Sequence, residues 1–313
     1  MKLGLAISTF YETARQRLIQ YHTNIIETGG YITILPLIWV LLFLAIPFTT
    51  LLKIGFSEPT FTIPPFSEMF SHVSDYAINI KLNLKNYVTI LNTTYYISAF
   101  LNSVGFGVIA VVLCLILGFP MAYGIHSVTG KFAKMMLIML ISLSFWTSFL
   151  VRIYALINML NVHGIINSAL MRLGLISTPI QFIGNNYAVC AGLVFCYIPF
   201  MIFPIYAILE KIDKTYIESA NDLGCTPLRA FWYVTVPLSK AGILNGCIMV
   251  FTMSSGEFVI PELLGSSDVV TFGRALWTEF FTNLDWPMAC SLSILMVMCI
   301  TLPIMWISKE MSK

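Results

Sequence analysis

Charged residues are scarce in this sequence. Asp, Glu, Lys and Arg make up 10% of its 313 residues, whereas 58% are hydrophobic and the mean hydropathy is +0.85. A soluble globular domain normally carries about 25% charged residues. The low charge content therefore excludes an ordinary soluble domain and indicates a chain that lies largely in lipid.

Several chemical motifs are absent as well. The sequence contains no HExxH, no GxSxG and no paired aspartate motif, so an intramembrane protease or transferase would have no catalytic residues. It also has no GxxxxGK[ST] segment, so this chain cannot bind ATP through a P-loop. The net charge is only +2 and the basic residues are spread along the chain, which indicates no nucleic-acid partner. We predict that the chain is not an enzyme and has no cofactor of its own.

Cysteine and histidine are present but are not grouped. No cysteine forms a CxxC pair, and the four histidines are scattered. We interpret the cysteines as small apolar packing residues and predict neither a disulfide nor a metal site. Six of the seven fall inside apolar stretches: Cys114, Cys190, Cys196, Cys247, Cys290 and Cys299.

Long apolar windows dominate what is present. A helix needs about 20 mainly apolar residues to cross a hydrocarbon core about 30 Å thick. Six windows fit this requirement, and they predict an all-α membrane protein with six transmembrane helices. The membrane domain is predicted over residues 31–308, between an N-terminal tail at 1–30 and a C-terminal tail at 309–313. The windows are 31–52, 99–125, 135–151, 187–209, 240–265 and 287–308.

The connections between the windows differ in basic charge. Eleven of the 17 Lys and Arg residues fall in the two tails and the second and fourth connections, and six fall in the other connections. Because basic residues collect on the cytoplasmic side of a membrane, we predict that both termini are cytoplasmic. The eleven are Lys2, Arg15, Arg17, Lys131, Lys134, Lys211, Lys214, Arg229, Lys240, Lys309 and Lys313.

The fourth connection, residues 210–239, has structure of its own. Apolar residues at helical spacing predict a first helix over 215–223, and Gly224 stands where a left-handed C-terminal cap belongs. Thr226 is placed to supply an N-cap oxygen and Pro227 to occupy the first position of a second helix, which we expect to end before Pro237. Such a helix pair exposes small and apolar residues beside charges such as Arg229. It indicates either a docking element or an amphipathic pair on the bilayer surface.

The same connection resembles the EAA loop of permease subunits in ABC importers. The matching positions are Glu218, Ala220, Gly224 and Pro237, and Ser219 replaces the second alanine of that pattern. The resemblance implies that the helix pair seats in a groove of a separate cytoplasmic ATPase, which binds the ATP, and transmits its closure to the membrane helices. The coupling residues that it implies are Glu218, Ser219, Ala220, Asp222, Leu223, Gly224 and Pro237.

Residues 254–265 and 145–152, together with 56–59, resemble the spermidine/putrescine class of permeases. The resemblance covers most of the chain from residue 31 onward. It implies the six-helix fold of type I (MetI-like) importer permeases and a transport subunit that forms half of a path for polyamines. The partners that it implies are a second homologous permease, a cytoplasmic ABC ATPase dimer and an extracytoplasmic polyamine-binding protein. The location that it implies is a bacterial inner membrane.

Glu257 lies inside an apolar window, where a carboxylate costs several kcal/mol unless it faces a cavity or a partner. Pro261 removes a backbone donor and predicts a disturbed helix nearby. We predict a path for a cationic substrate here, with carboxylates for ammonium groups and aromatic rings for cation–π contacts. The candidates are Glu257, Glu262, Trp146, Phe145, Tyr154 and Phe258.

Other interpretations stay open. Glu257 could instead bond a neighbouring helix, Glu262 could be solvated, and the aromatic residues could serve packing or the interfacial belt. Arg152, placed just outside the third window, is interpreted as an anchor or an ion-pair partner. Another small solute, such as an anion, is weakened as cargo because no basic residue falls well inside a window. A channel or secondary transporter would not explain the docking loop.

Overall fold

The computed structural model describes residues 31–60, 62–67, 70–74, 77–80, 82–266 and 269–311. The predicted tail at 1–30 lies outside the described residues. The chain is mainly helical. In the first half the helices are α1 (Tyr31–Gly55), α2 (Lys85–Asn92), α3 (Thr94–Ser127), α4 (Lys131–Trp146), α5 (Phe149–Leu160) and α6 (Ile165–Arg172).

The second half contains longer helices separated by short ones. Two of the short helices are π-helices, π1 (Phe231–Thr235) and π2 (Thr278–Thr282). The α-helices are α7 (Asn186–Leu209), α8 (Lys214–Asp222), α9 (Pro227–Ala230), α10 (Val236–Leu238), α11 (Lys240–Ser255), α12 (Val259–Leu264), α13 (Phe272–Trp277) and α14 (Trp286–Met311).

The centre of the molecule is formed by α3, α7 and α11, which all pack against one another. Small residues permit the close approach of α11 to α7. A Cβ atom at Gly242 would lie 2.7 Å from the Pro204 carbonyl oxygen, and one at Gly246 would lie 2.7 Å from the Met201 sulfur. The two glycines form a GxxxG pattern, which allows helix backbones to pack closely in membranes.

The first and last helices pack against each other at one side. The Ser291 hydroxyl of α14 donates to the Gly55 carbonyl at the end of α1 at 2.8 Å. Apolar side chains of α1 remain exposed, for example Leu35 at 75% and Leu44 at 70%. An apolar surface of this extent needs lipid or another chain to cover it.

Within the described residues, five helical stretches are long and apolar enough to cross a membrane, and six if the bent pair Pro227–Leu238 and Lys240–Ser255 counts as one span. The prediction of an all-α membrane fold is confirmed in this respect, and the structure adds a short antiparallel hairpin of β1 (Phe70–Ser74) and β2 (Ala77–Ile80). The five are Ile34–Gly55, Thr94–Ser127, Phe149–Arg172, Asn186–Leu209 and Trp286–Met305.

The third predicted window, 135–151, differs from the structure because it straddles a break. Helix α4 ends at Trp146 after 16 residues, and α5 begins at Phe149. Lys134 near the start of α4 contacts Glu210 at the end of α7, whereas Arg152 of α5 contacts the Cys196 carbonyl in the middle of α7. Helices α4 and α5 therefore run along α7 in succession, with their break beside its middle.

Candidate functional site

The fourth connection forms the predicted helix pair, which we call the coupling segment (residues 210–239). Helix α8 is capped by Asp213, whose carboxylate accepts from the Thr215 backbone N–H at 3.0 Å and from the Thr215 hydroxyl at 2.7 Å. These hydrogen bonds lower the pKa of Asp213 below its ordinary value. The predicted left-handed cap is confirmed, because Gly224 has φ +85° and Cys225 N–H donates to the Ala220 carbonyl.

The second half of the coupling segment differs from its prediction. Pro227 is the first residue of α9, but Thr226 precedes it without a side-chain cap bond. Helical backbone then continues through π1 and α10 to Leu238, so the expected end before Pro237 is wrong. Pro237 stands just after π1, where the Val236 N–H donates to the Phe231 carbonyl five residues back, so the regular α-helical hydrogen bonding is already interrupted there.

The predicted coupling residues lie mostly at the surface. Leu223 is 87% exposed and Ala220 is half-buried. Tyr216 and Leu228 of the same segment are exposed as well, at 59% and 71%, and several exposed apolar side chains rimmed by polar residues indicate a contact surface. The other predicted coupling residues, all exposed, are Glu218, Ser219, Asp222, Gly224 and Pro237.

Contacts near both ends of the coupling segment attach it to the bundle. At its start, one oxygen of Glu210 is 2.7 Å from Lys134 Nζ and 2.9 Å from His126 Nδ1. Burial alone would raise the pKa of Glu210, but the hydrogen bonds from Lys134 and His126 outweigh that effect and hold the pKa below its ordinary value. Near its end, the Phe231 ring meets Tyr123 of α3 edge-on, with ring centroids 5.1 Å apart.

A second site, which we call the inner pocket, lies where two helix breaks meet. One break separates α4 from α5, and the other separates α11 from α12. The pocket has a volume of about 530 Å³. It is lined by Phe145, Thr147, Phe149, Arg152, Cys196, Tyr197, Phe200, Met253 and Glu257.

Glu257 supplies a carboxylate to the inner pocket. One oxygen accepts from the backbone N–H groups of Phe258 at 3.1 Å and Val259 at 2.9 Å, which lie at the start of α12. The other accepts a hydrogen bond from the Tyr197 hydroxyl of α7. Three donors thus hold the side chain in place. The bond from Tyr197 agrees with the interpretation that Glu257 bonds a neighbouring helix, and its place in the pocket lining agrees with the cavity interpretation.

Arg152 supplies a guanidinium to the same pocket. It donates to the carbonyls of Cys196 at 3.2 Å, Thr147 at 3.4 Å and Ser144. The interpretation of Arg152 as an anchor agrees with these bonds, which tie the end of α4 to α7. Its expected position just outside the third window is wrong, because the side chain lies beside the middle of α7. The argument against an anionic cargo therefore no longer holds, because it assumed that no basic residue falls well inside a span.

The structure does not bring all the predicted path residues together. Phe145 and Glu257 line the inner pocket, whereas the other four do not. Trp146 and Tyr154 point outward, with exposures of 87% and 54%. Phe258 stacks on Trp277 with ring centroids 4.8 Å apart, and the Glu262 carboxylate is 2.7 Å from Arg274 Nε.

Sequence reasoning missed most of the pocket lining. Tyr197, Phe149 and Phe200 are ordinary aromatic residues of apolar windows, and nothing in their spacing marks them. A pattern that could have identified the site is Trp146-Thr147-Ser148, where two polar residues interrupt an apolar run and match the observed break.

The chain matches the family described as "Binding-protein-dependent transport system inner membrane component" over residues 115–308. This range contains the coupling segment and the whole inner pocket. The chain belongs to this family of transport permeases. It is similar to the spermidine/putrescine transport system permease protein PotB of Escherichia coli strain K12, with 34% identity over 86% of this chain and 93% of that protein.

Further comparisons give the same family and the fold. The permease is 35% identical to PotB of Haemophilus influenzae over 68% of this chain and 74% of that protein. Among solved structures, a bacterial ABC transporter involved in the import of alginate matches with a TM-score of 0.65 and 18% identity, over 94% of this chain and all of that chain. The MetNI methionine ABC transporter matches with a TM-score of 0.53 and 13% identity, over 69% of this chain and 94% of that chain. These two likenesses establish the fold alone.

Proposed function

We propose that this permease forms half of the translocation path of an ATP-driven importer for polyamines, with the inner pocket on that path. The observation that carries the cargo class is Glu257, a carboxylate in a pocket with four aromatic rings, Phe145, Phe149, Tyr197 and Phe200. Alkylammonium groups bind to carboxylates and to the faces of aromatic rings. The names of the PotB relatives from two bacteria support the same cargo.

The exposed face of the coupling segment supports a proposal about the partner proteins. We propose that the exposed face of the coupling segment around Glu218, Leu223 and Gly224 seats in a cytoplasmic ATPase, and that a second homologous permease completes the path. An extracytoplasmic binding protein would deliver the polyamine. The permease would lie in a bacterial inner membrane with the coupling segment and both termini on the cytoplasmic side. Helices α4 and α5 would together make the third of six crossings.

Arg152 favours a second candidate cargo. A pocket that contains one guanidinium and one carboxylate also fits a small solute that carries both charges. Three carbonyl acceptors engage the Arg152 guanidinium, which leaves it less available to a ligand than a free arginine. We therefore rank the polyamine first and the doubly charged solute second.

Uptake of labelled spermidine and putrescine tests the proposal. Cells that lack this permease would be complemented with the wild type or with Glu218→Ala. We expect the wild type to restore uptake and Glu218→Ala to lower it about tenfold or more at equal membrane abundance, because the exposed carboxylate contributes to docking rather than folding. Lys211→Gln, which changes an exposed charge near the same helix, is the matched control and should transport normally.

Two outcomes would count against the proposal. If the wild type restores uptake of neither polyamine, the cargo is wrong, and competition with zwitterionic amines would then test the second candidate. If Glu218→Ala transports like the wild type, the docking role of the coupling segment is wrong.

A further inference from the structure

Glu210 occupies a junction of three helices. It directly follows α7 and stands three residues before the N-cap of α8, the first helix of the coupling segment. One of its carboxylate oxygens contacts Lys134 in the first turn of α4 and His126 in the last turn of α3. These contacts are partly shielded, since the His126 and Lys134 side chains are 15% and 22% exposed. A single carboxylate thus joins the coupling segment to two helices of the bundle.

Helix α4 continues from this junction to the inner pocket. Lys134 and Ser144 are ten residues apart in one helix, which corresponds to about 15 Å. Ser144 accepts a hydrogen bond from Arg152, and the next residue, Phe145, lines the pocket. Because an intact helix moves as a stiff unit, a displacement of Lys134 reaches the pocket wall directly.

The other end of the coupling segment is held differently. Phe231 packs edge-on against Phe119 and Tyr123 of α3, at centroid distances of 5.6 and 5.1 Å. This contact leads to α3, which packs mainly against α7 and α11 and only slightly against α4. Among the described residues of the coupling segment, only Glu210 forms an ion pair with a residue of α4. The ionic junction and the aromatic contact are therefore separable by mutation.

We propose that Glu210 is a positioning residue that links movement of the coupling segment, through Lys134 and α4, to the wall of the inner pocket. The inference rests on the proposed function of the coupling segment and adds a residue and a route to it. Glu210 does not touch the ATPase or the cargo in this scheme. Its removal should separate ATP hydrolysis from transport, because docking is retained while the connection to the pocket is lost.

The test uses the complete importer in proteoliposomes, with the second permease, the ATPase and the binding protein, and measures spermidine uptake and ATP hydrolysis together. We expect Glu210→Gln and Lys134→Gln to keep hydrolysis within about twofold and to lower the uptake per ATP about fivefold. The double variant Glu210→Lys with Lys134→Glu should recover most of that ratio, because it restores an ion pair of opposite orientation. Lys131→Gln, an exposed lysine of the same helix turn, is the matched control and should behave like the wild type.

Three results would overturn the inference. The first is a normal uptake-to-hydrolysis ratio in Glu210→Gln. The second is an equal loss of uptake and hydrolysis in that variant, which a purely structural role produces. The third is a charge-swapped variant whose ratio stays as low as that of the single variants.

A substrate-independent readout separates this inference from the cargo assignment. A single cysteine at Thr147 in the pocket wall, in a background without native cysteines, would be labelled with a thiol reagent in the nucleotide-free and vanadate-trapped states. We expect labelling to differ between the states, and Glu210→Gln to abolish the difference. If labelling responds to nucleotide, Glu210→Gln abolishes that response and no polyamine is transported, the cargo assignment fails and the inference stands. If polyamines are transported and Glu210→Gln leaves the labelling response intact, the inference alone fails.

Discussion

At the scale of single residues, Glu257 shows how a carboxylate can be held inside an apolar bundle. A charge in such surroundings is stable only with hydrogen bonds or a counter-ion. Glu257 has three donors, two from the backbone at the start of α12 and one from Tyr197. The bonds fix the carboxylate at the pocket wall, where its remaining acceptor capacity is available to a cation.

Replacement of Glu257 by glutamine should weaken cargo binding without unfolding the permease. The amide oxygen can still accept from the start of α12, but the negative charge is gone. We expect the KM for spermidine to rise about tenfold, since a charged hydrogen bond contributes about 1.5 kcal/mol. Glu58→Gln is a suitable control, because Glu58 is exposed in the connection after α1. An unchanged KM in Glu257→Gln at equal abundance would remove Glu257 from the path.

The sequence could predict the chemistry of Glu257 but not its neighbours. An acidic residue in an apolar window is rare enough to be noticed, and Phe145 was named with it. Trp146 and Tyr154 were named on the same aromatic criterion, yet they point outward. Trp146 follows Phe145 in the last turn of α4, and consecutive residues of a helix face about 100° apart. Tyr154 lies in α5, beyond the break, so its direction cannot be read from the pattern of α4.

At the scale of helices, the sequence predicts helix ends best where glycine or proline marks them. Gly224 was predicted as a left-handed cap because few other residues adopt positive φ without strain, and it has φ +85°. Pro237 predicts a helix end because proline has no N–H to donate, but the helix continues through π1 and α10 to Leu238. A π-helix arises from packing against the rest of the molecule, and sequence periodicity does not reveal it.

The contact between α7 and α11 provides a prediction for one helix pair. A methyl group at Gly242 would lie 2.7 Å from the Pro204 carbonyl oxygen and 3.0 Å from the Ile205 Cα, and these backbone atoms cannot move aside cheaply. We expect Gly242→Ala to destabilise the permease by about 1–3 kcal/mol, as overpacking does. The measurement is thermal unfolding of the purified protein in detergent.

Gly124→Ala is the matched control for that variant. Gly124 is also inside a long helix, α3, but a methyl group there has no atom within 4 Å. Alanine should therefore leave stability unchanged or raise it by about 1 kcal/mol through its better helix propensity. Equal melting temperatures for Gly242→Ala and Gly124→Ala would show that α7 and α11 do not pack this closely.

At the scale of the whole molecule, the contacts sort the helix ends into two groups. The end of α1 meets the start of α14, and the start of α3 meets α13 through the bond from Phe272 N–H to Ser103. The end of α3, the start of α4 and the end of α7 meet around Glu210 at the opposite side. The start of α1 and the end of α14 therefore lie toward the coupling segment.

The basic residues of the sequence predict that both tails are cytoplasmic. The start of α1 and the end of α14 lie on the side of the coupling segment, and which side of the membrane that is stays a prediction. Charge counts describe only which connections share a side, and they could not reveal that Lys134 is used in a contact with Glu210. Charge counts also do not locate the surface that the proposed second permease would contact. The exposed apolar side chains of α1 are one surface that such a partner, or lipid, would cover.

The proposed orientation can be measured by cysteine labelling in spheroplasts. Ile63, fully exposed in the connection after α1, and Lys131, exposed at the start of α4, lie at opposite ends of the bundle. In a background without native cysteines, we expect Ile63→Cys to react with a membrane-impermeant maleimide in intact spheroplasts. Lys131→Cys should react only after permeabilisation, because the basic connection is retained in the cytoplasm. The reverse pattern would place the coupling segment outside the cell, where no ATPase could drive it.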